Sequence, residues 1–315
     1  MSAVVECHGL TKYYGKTRGV EDLNLRVERG MTYGFLGPNG AGKTTTIRCL
    51  LGMLKPTGGS ASLFGELVAL DGAELRRRIG YVAGEVRLYE RETGRWHIDY
   101  LSGLRGATPS SDKDLCERLG FDPSRSVRQL SKGNKQKLAL VLGLMHDPEL
   151  LMLDEPTSGL DPLNQQAVFE VLGERISAGA TVFLSSHILS EVEKVCQRVG
   201  ILHAGRLIAD EAMEDLLQKR IRHVDVTFAQ VVPDGLLDGV TGVSDIAHLG
   251  PEQLRATVVG DAVGEVLRRI AAYDVRDVGI ERASLEDVFL RFYRGEAGEG
   301  SAAPDHADRE GGEPS

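Results

Sequence analysis

This 315-residue sequence predicts an α/β fold built on a mainly parallel sheet, and three features predict it. Up to about residue 220, short β-branched runs alternate with stretches of helical period. Two of those runs, LLMLDE (150–155) and TVFLSS (181–186), are almost unbroken in apolar character, as strands covered on both faces are. A glycine-rich turn, GPNGAGKTT (37–45), joins the strand-like TYGFL to the helical TTTIRCLLGML.

The expected strands run in order through VVECHGL, MTYGFLG, SASLFG, IGYVA, LLMLDE, TVFLSS, RVGILHAG and RLIAD. Helical patterns follow Lys43, Asp71, Thr93, Asp112, Ser131, Leu163 and Ile188. From about residue 87 to 146 no run reads convincingly as a strand, so a helical subdomain beside the sheet is expected there. After EDLLQKR the texture changes. HVDVTFA, VSDIAHL and QLRATVVG are strand-like, followed by the amphipathic DAVGEVLRRIAAY, the strand VRDVGIE and the helix SLEDVFLRFY. These predict a small C-terminal α+β domain over residues 221–294, with a disordered acidic tail at 295–315. No internal repeat is present, so one copy of the first domain is expected.

Lys and Arg total 37 against 46 Asp and Glu, a net charge of −9, which makes an extended phosphate backbone a poor main partner. Beyond residue 294, six acids face Arg309 alone, so −5 of the −9 lies there and the rest is mildly acidic. Cys7, Cys49, Cys116 and Cys196 form no C-x-x-C pair, which argues against a zinc site or disulfide framework and fits a reducing cytoplasm. No apolar run approaches the roughly 18 residues of a membrane span. The opening MSAVVECHGL lacks the charged-then-apolar layout of a secretory signal, so a soluble, non-exported chain is expected.

Chemistry concentrates where strands end. GPNGAGKTT fits the strand–GxxxxGK[ST]–helix pattern through Gly37, Gly42, Lys43 and Thr44, with Pro38, Asn39, Gly40, Ala41 and Thr45 completing the loop. Such glycines let backbone N–H groups turn inward around phosphate oxygens, and the following helix points its positive end at the same place. Lys43 is expected to neutralise the β- and γ-phosphates, and the Thr44 hydroxyl to ligate Mg²⁺. LLMLDEP supplies Asp154, placed to hold Mg²⁺ through water, and Glu155 one residue further out to orient or deprotonate an attacking water. His187 ends TVFLSSH at the sheet edge where open α/β folds bind ligands, so it could reach a γ-phosphate. A second anion site begins within RQLSKGNKQKLALVLGL (128–144), where Ser131 and Gly133 stand at a helix start.

Taken in order and spacing, GPNGAGKTT, LSKGN, LLMLDE, SGLD and SSH resemble the ATP-binding subunit of an ABC transporter over roughly residues 4–210. The resemblance implies a P-loop NTPase cassette over residues 1–220, with an antiparallel β subdomain and a helical subdomain beside the parallel core. It also implies ATP and Mg²⁺ as ligands and ATP hydrolysis as the activity, with Glu155, His187 and Lys43 catalytic. In this family two cassettes pack head to tail. Ser131, Lys132, Gly133 and Asn134 would then complete the ATP site of a partner copy, and Ser158, Gly159, Leu160 and Asp161 would link the two sites. Tyr14 would stack on adenine, with Tyr13 as the alternative. The C-terminal region containing SLEDVFL resembles the ATPases of two-component ABC-2-type exporters, including the daunorubicin and multidrug resistance group. That implies a homodimer or a paired second cassette, a separate transmembrane permease, a peripheral place on the cytoplasmic side of the cell membrane, and export of a drug, antibiotic or lipid-like compound.

The pattern departs from the family at three positions. Members usually carry a glutamine after the strand corresponding to IGYVA, whereas Gly84 stands here and Glu85 follows. Either Glu85 takes over part of that role near the metal, or Thr44 and Asp154 hold Mg²⁺ with water filling the gap. Lys132 and Asn134 also replace a commoner glycine and glutamine, while Ser131 and Gly133 are kept. A non-transport ABC ATPase acting on ribosomes or DNA is the alternative function, but the coiled-coil insertion, zinc cysteines or second cassette usual there are missing. A P-loop GTPase or kinase would leave LSKGN and SSH without a role, and N-K-x-D is absent.

Overall fold

The computed structural model describes residues 2–70, 72–106, 111–218, 221–233, 235–260 and 262–282. It divides into two compact units, Met1–Lys219 and Arg220–Ser315.

The first unit opens with β1 (Ala3–Tyr14) and β2 (Thr17–Glu28), an antiparallel hairpin whose closing pair is Tyr14 and Thr17. β3 (Thr32–Leu36) leads through the glycine-rich loop into α1 (Lys43–Leu50), and β4 (Gly58–Leu63), β5 (Glu66–Leu67), α2 (Ala73–Arg77) and β6 (Ile79–Val82) follow. Next come the helices α3 (Gly94–Arg105), α4 (Asp112–Arg118) and α5 (Lys132–Leu144). The chain returns to the sheet with β7 (Leu150–Asp154), α6 (Pro162–Ser177), β8 (Thr181–Ser186), α7 (Leu189–Val195), β9 (Arg198–His203), β10 (Arg206–Ala212) and α8 (Met213–Gln218).

Two sheets result. The core sheet has the order β10-β9-β3-β8-β7-β6, parallel throughout except for the β9–β10 hairpin at its edge. Every residue of β3, β7 and β8 is buried, which is the physical reason those runs carry almost no polar residue before their ends. Tyr33 and Phe35 of β3 lie against Phe183 of β8, with ring centroids 5.5 and 5.2 Å apart. The second sheet is antiparallel, in the order β2-β1-β4-β5. β2 is a strand that the sequence reading passed over. Its burial alternates, with Leu23, Leu25 and Val27 inside and Asn24 and Arg26 outside, and an alternating half-charged segment reads more weakly than an unbroken apolar one.

Between residues 87 and 146 the described residues form α3 to α5, a 3₁₀ turn at Val127–Gln129 and one isolated bridge from Thr93 to Ser126. Thr93 caps α3 by accepting a hydrogen bond from the Trp96 N–H. Helix α5 is buried from Gln136 to Leu144 and packs on α3, α4 and β6, which anchors the helical layer to the core sheet. Among the described residues no helix is long and apolar enough to cross a membrane.

The second unit is an antiparallel sheet of β11 (Ile221–Phe228), β12 (Val243–Gly250), β13 (Gln253–Val259) and β14 (Val275–Arg282), in the order β12-β13-β11-β14. Helix α9 (Ala262–Ile270) turns Val266 and Ile270 onto Val224, Val226, Leu254, Ala256 and Val258, which form a core of their own. The expected helix SLEDVFLRFY and the tail at 295–315 lie outside the described residues.

Candidate functional site

The phosphate loop starts where the buried strand β3 stops and ends where α1 begins. Its shape depends most on Gly42, at φ +111°, where a Cβ would stand 2.2 Å from the Gly19 carbonyl oxygen. Gly40 has φ +82° but open space around it. Lys43 is only 5% exposed, and its Nζ donates to the carbonyls of Gly37 at 2.6 Å and Pro38 at 3.2 Å while lying 3.5 Å from Glu155 Oε1. The ammonium is thus fixed inside the loop, where phosphate oxygens would compete for it.

The parallel register brings three strand ends to this loop. Thr44 Oγ1 donates to Asp154 Oδ2 at 2.7 Å, and Asp154, 2% exposed, also accepts a hydrogen bond from Ser185 Oγ. A hydroxyl and a carboxylate held together are the hard oxygen donors that suit Mg²⁺, so these residues fit the ion. Glu155 follows with φ +49°, a left-handed conformation costing a non-glycine residue about 1–2 kcal/mol, and its N–H is held by the Ser185 carbonyl at 3.0 Å. That kink turns its carboxylate to His187, whose Nδ1 lies 3.0 Å from Glu155 Oε1. Gly84 sits beside Asp154: a Cβ there would be 3.5 Å from Oδ2. Glu85 instead points outward, its side chain 80% exposed and 3.5 Å from Arg87.

A cavity of about 280 Å³ lies over the loop, lined by Tyr14, Thr17, Arg18, Gly19, residues of the loop and Glu155. Tyr14 is 47% exposed, with its hydroxyl 3.4 Å from Thr45 Oγ1 and Lys12 Nζ 5.5 Å from its ring centre. Tyr13 points elsewhere and donates to Glu21 at 2.8 Å. Glu21 also accepts from Arg18 and Arg206, and these bonds, Arg18 first, hold its carboxyl down at about 2. Arg18 is a cavity residue the sequence reading missed. The signal was the β1–β2 register, which pairs Arg18 with Tyr13 and so folds it back beside the loop.

The second helix start lies apart from this cavity. Ser131 caps α5 by accepting the Asn134 N–H at 3.2 Å. Lys132 Nζ donates to Ser158 Oγ at 3.3 Å, and Gly133 is so near Gly159 that a Cβ would meet its carbonyl at 2.9 Å. Leu160 is buried, and Asp161 caps α6 through the Asn164 N–H at 3.0 Å, a bond that holds its carboxyl below the usual range. The buried Gln136 amide donates to the Pro156 carbonyl at 2.9 Å, tying α5 to the turn after Glu155. Within one chain, therefore, residues 131–134 are joined to residues 158–161, and neither group is among the residues lining the cavity around Lys43. The sequence reading also missed Ser185, Thr157, Ser186 and Glu191, whose hydrogen bonds surround Asp154 and Glu155.

Known proteins resemble this chain in sequence and fold. A family profile described as ABC transporter matches residues 20–158. The bacitracin transport ATP-binding protein BcrA of Bacillus licheniformis is 35% identical over 94% of this chain and 99% of its own length. The daunorubicin/doxorubicin resistance ATP-binding protein DrrA of Streptomyces peucetius is 32% identical, covering 91% of each. Among solved structures, an ATP-binding subunit of an ABC transporter superposes with a TM-score of 0.63 at 32% identity, over 68% of this chain and 91% of that one. Identity of this degree along nearly the whole length of BcrA shows that this chain is an ATPase of the ABC transporter family, one of its ATP-binding subunits.

Proposed function

We propose that this chain powers export of a drug, antibiotic or lipid-like compound through a separate membrane permease, and that it hydrolyses ATP as a head-to-tail pair. The observation that carries the pairing is the separation of the two anion sites: Ser131 and Gly133 stand at the start of α5, away from the cavity that holds Lys43. An ATP bound at Lys43 in one copy would be closed over by the Ser131 helix start of the next, with residues 158–161 between the two sites. The relatives named for bacitracin transport and daunorubicin resistance support the export reading.

In the closed pair the loop N–H groups and Lys43 bind the β- and γ-phosphates, and Tyr14 stacks on the base. Glu155 orients water and takes its proton as the oxygen attacks the γ-phosphorus and the bond to the β-phosphate oxygen breaks. His187 holds Glu155 and faces the γ-phosphate, while Lys43 offsets charge on the transferring group. Bound Mg²⁺, held by Thr44 and through water by Asp154, would supply further charge neutralisation. Because the γ-phosphate joins both halves only when they are closed, ATP favours closure and its hydrolysis releases it.

The permease contact we assign to a groove of about 330 Å³ between α3, α5 and the segment after β6, with Leu51, Tyr81, Leu88, Leu101 and Leu142 in its walls. Arg76 and Arg105 line it and hydrogen-bond only backbone carbonyls among the described residues, so an acidic helix of the permease is the matching occupant. Light scattering tests the pairing. Glu155→Gln with saturating ATP should run as a dimer, and adding Ser131→Ala should return it to monomer; a monomeric Glu155→Gln protein would refute it.

A further inference from the structure

We propose that Glu191 is a positioning residue for hydrolysis, a buried carboxylate that fixes the turn carrying Glu155 against the strand end carrying His187. Glu191 lies in the first turn of α7 and is 4% exposed. Both of its oxygens are engaged. Oε1 accepts the Thr157 hydroxyl, and Oε2 accepts the Ser186 hydroxyl at 2.7 Å. Thr157 and Ser186 are themselves buried, so neither hydroxyl has water to turn to.

The two hydroxyls belong to the two segments that hold the catalytic pair. Thr157 is two residues after Glu155, in a turn closed by the Ser158 N–H on the Glu155 carbonyl at 3.1 Å. Ser186 immediately precedes His187, and its carbonyl accepts the Gly37 N–H at 3.3 Å, a backbone bond beside the β3–β8 ladder that does not involve the Glu191 carboxylate. Glu155 is in a left-handed conformation, which persists only where its surroundings over-determine it. Glu191 adds to that constraint through the Thr157 hydroxyl, while the Ser185 carbonyl holds the Glu155 N–H. Remove Glu191, and the turn and the strand end lose their common support, while the loop, Tyr14 and the Ser131 helix start keep their own contacts.

The inference rests on Glu155 and His187 acting in hydrolysis, and the test separates the two claims. In the full chain, Glu191→Ala should lower kcat about 30-fold with KM for ATP within about twofold, since no group that binds the nucleotide is lost. Thr157→Val, which keeps the shape and removes the donor, should give a smaller loss in kcat alone, and Thr157→Ser should restore turnover. Combining Thr157→Val with Glu191→Ala should be no worse than Glu191→Ala, because both break one link. ATP-driven dimerisation of Glu155→Gln should survive addition of Glu191→Ala. Full turnover in both Glu191→Ala and Thr157→Val, with Glu155→Gln inactive, overturns this proposal alone. So does a loss that appears in KM or dimerisation instead of kcat. If Glu191→Ala does not fold, the Thr157→Val and Thr157→Ser pair decides. Full turnover in Glu155→Gln and His187→Ala overturns the underlying assignment, and this proposal with it.

Discussion

Replacing Gly42 by alanine tests how far the backbone of the phosphate loop is determined by packing. At φ +111° the new residue would sit outside the left-handed basin, a strain of about 1–3 kcal/mol. Its Cβ would also lie 2.2 Å from the Gly19 carbonyl oxygen, a backbone atom that cannot rotate away, and overpacking of this kind costs about 1–3 kcal/mol more. Together the loss is about 4 kcal/mol. Gly40→Ala is the control: φ is +82° with nothing within 4 Å, so only about 1–2 kcal/mol of left-handed strain applies. Urea unfolding followed by circular dichroism should therefore separate the variants by about 2–3 kcal/mol, as the difference between those two sums. Binding should separate them further. Gly42 precedes the first residue of α1, so moving it displaces the loop and helix-start N–H groups that the proposed function assigns to the phosphates, and the ATP Kd should rise at least about 30-fold, or about 2 kcal/mol. For Gly40→Ala a change under about threefold is expected. Equal stability losses in the two variants, or wild-type ATP affinity in Gly42→Ala, would refute the reasoning.

Three further outcomes follow from the geometry. Tyr14→Ala should raise KM for ATP about tenfold, the loss of one aromatic stack, with kcat within about twofold, whereas Tyr13→Ala should change KM less than about threefold; steady-state kinetics showing the reverse would move the base site to Tyr13. Gly133→Ala should push α5 off Gly159 and reduce turnover at least about tenfold, yet leave ATP affinity of a single copy unchanged in equilibrium titration, and a weakened single-copy affinity would contradict the two-copy site. His146 is held by burial, with Arg105 adding to the effect, at a pKa of about 4 against an ordinary 6.5. The unfolded chain therefore takes the proton first, so this contribution to stability is complete above about 6.5 and is lost as pH falls toward 4. Thermal midpoints of wild type should drop more steeply over that window than those of His146→Gln, and parallel curves would show that His146 is not responsible.

The glycine-rich loop was legible because its pattern is written in adjacent residues. Gly37 to Thr45 make a loop from their own backbone, and Asp154 and His187 announce themselves as polar residues at the ends of unbroken apolar runs. Ser131 was readable for the same local reason, as a cap before a helix. Arg18 was not, since it reaches the cavity only through the pairing of β2 with β1, and β2 alternates too many charges to stand out.

By itself, then, the sequence determined the α/β class, the order of the core strands' chemistry, the two helix starts suited to anions and the ABC family pattern. Each of these depends on neighbours within one element or one turn. Tertiary structure alone decided which tyrosine faces the cavity, that Glu85 turns away while Gly84 lies beside Asp154, and that Glu191 of α7 reaches Thr157 in the turn after β7. Those contacts join segments up to 110 residues apart, as the bond from Thr44 to Asp154 does. Local pattern cannot encode them, because they arise only when the strands settle into register and bring their ends to one edge of the sheet.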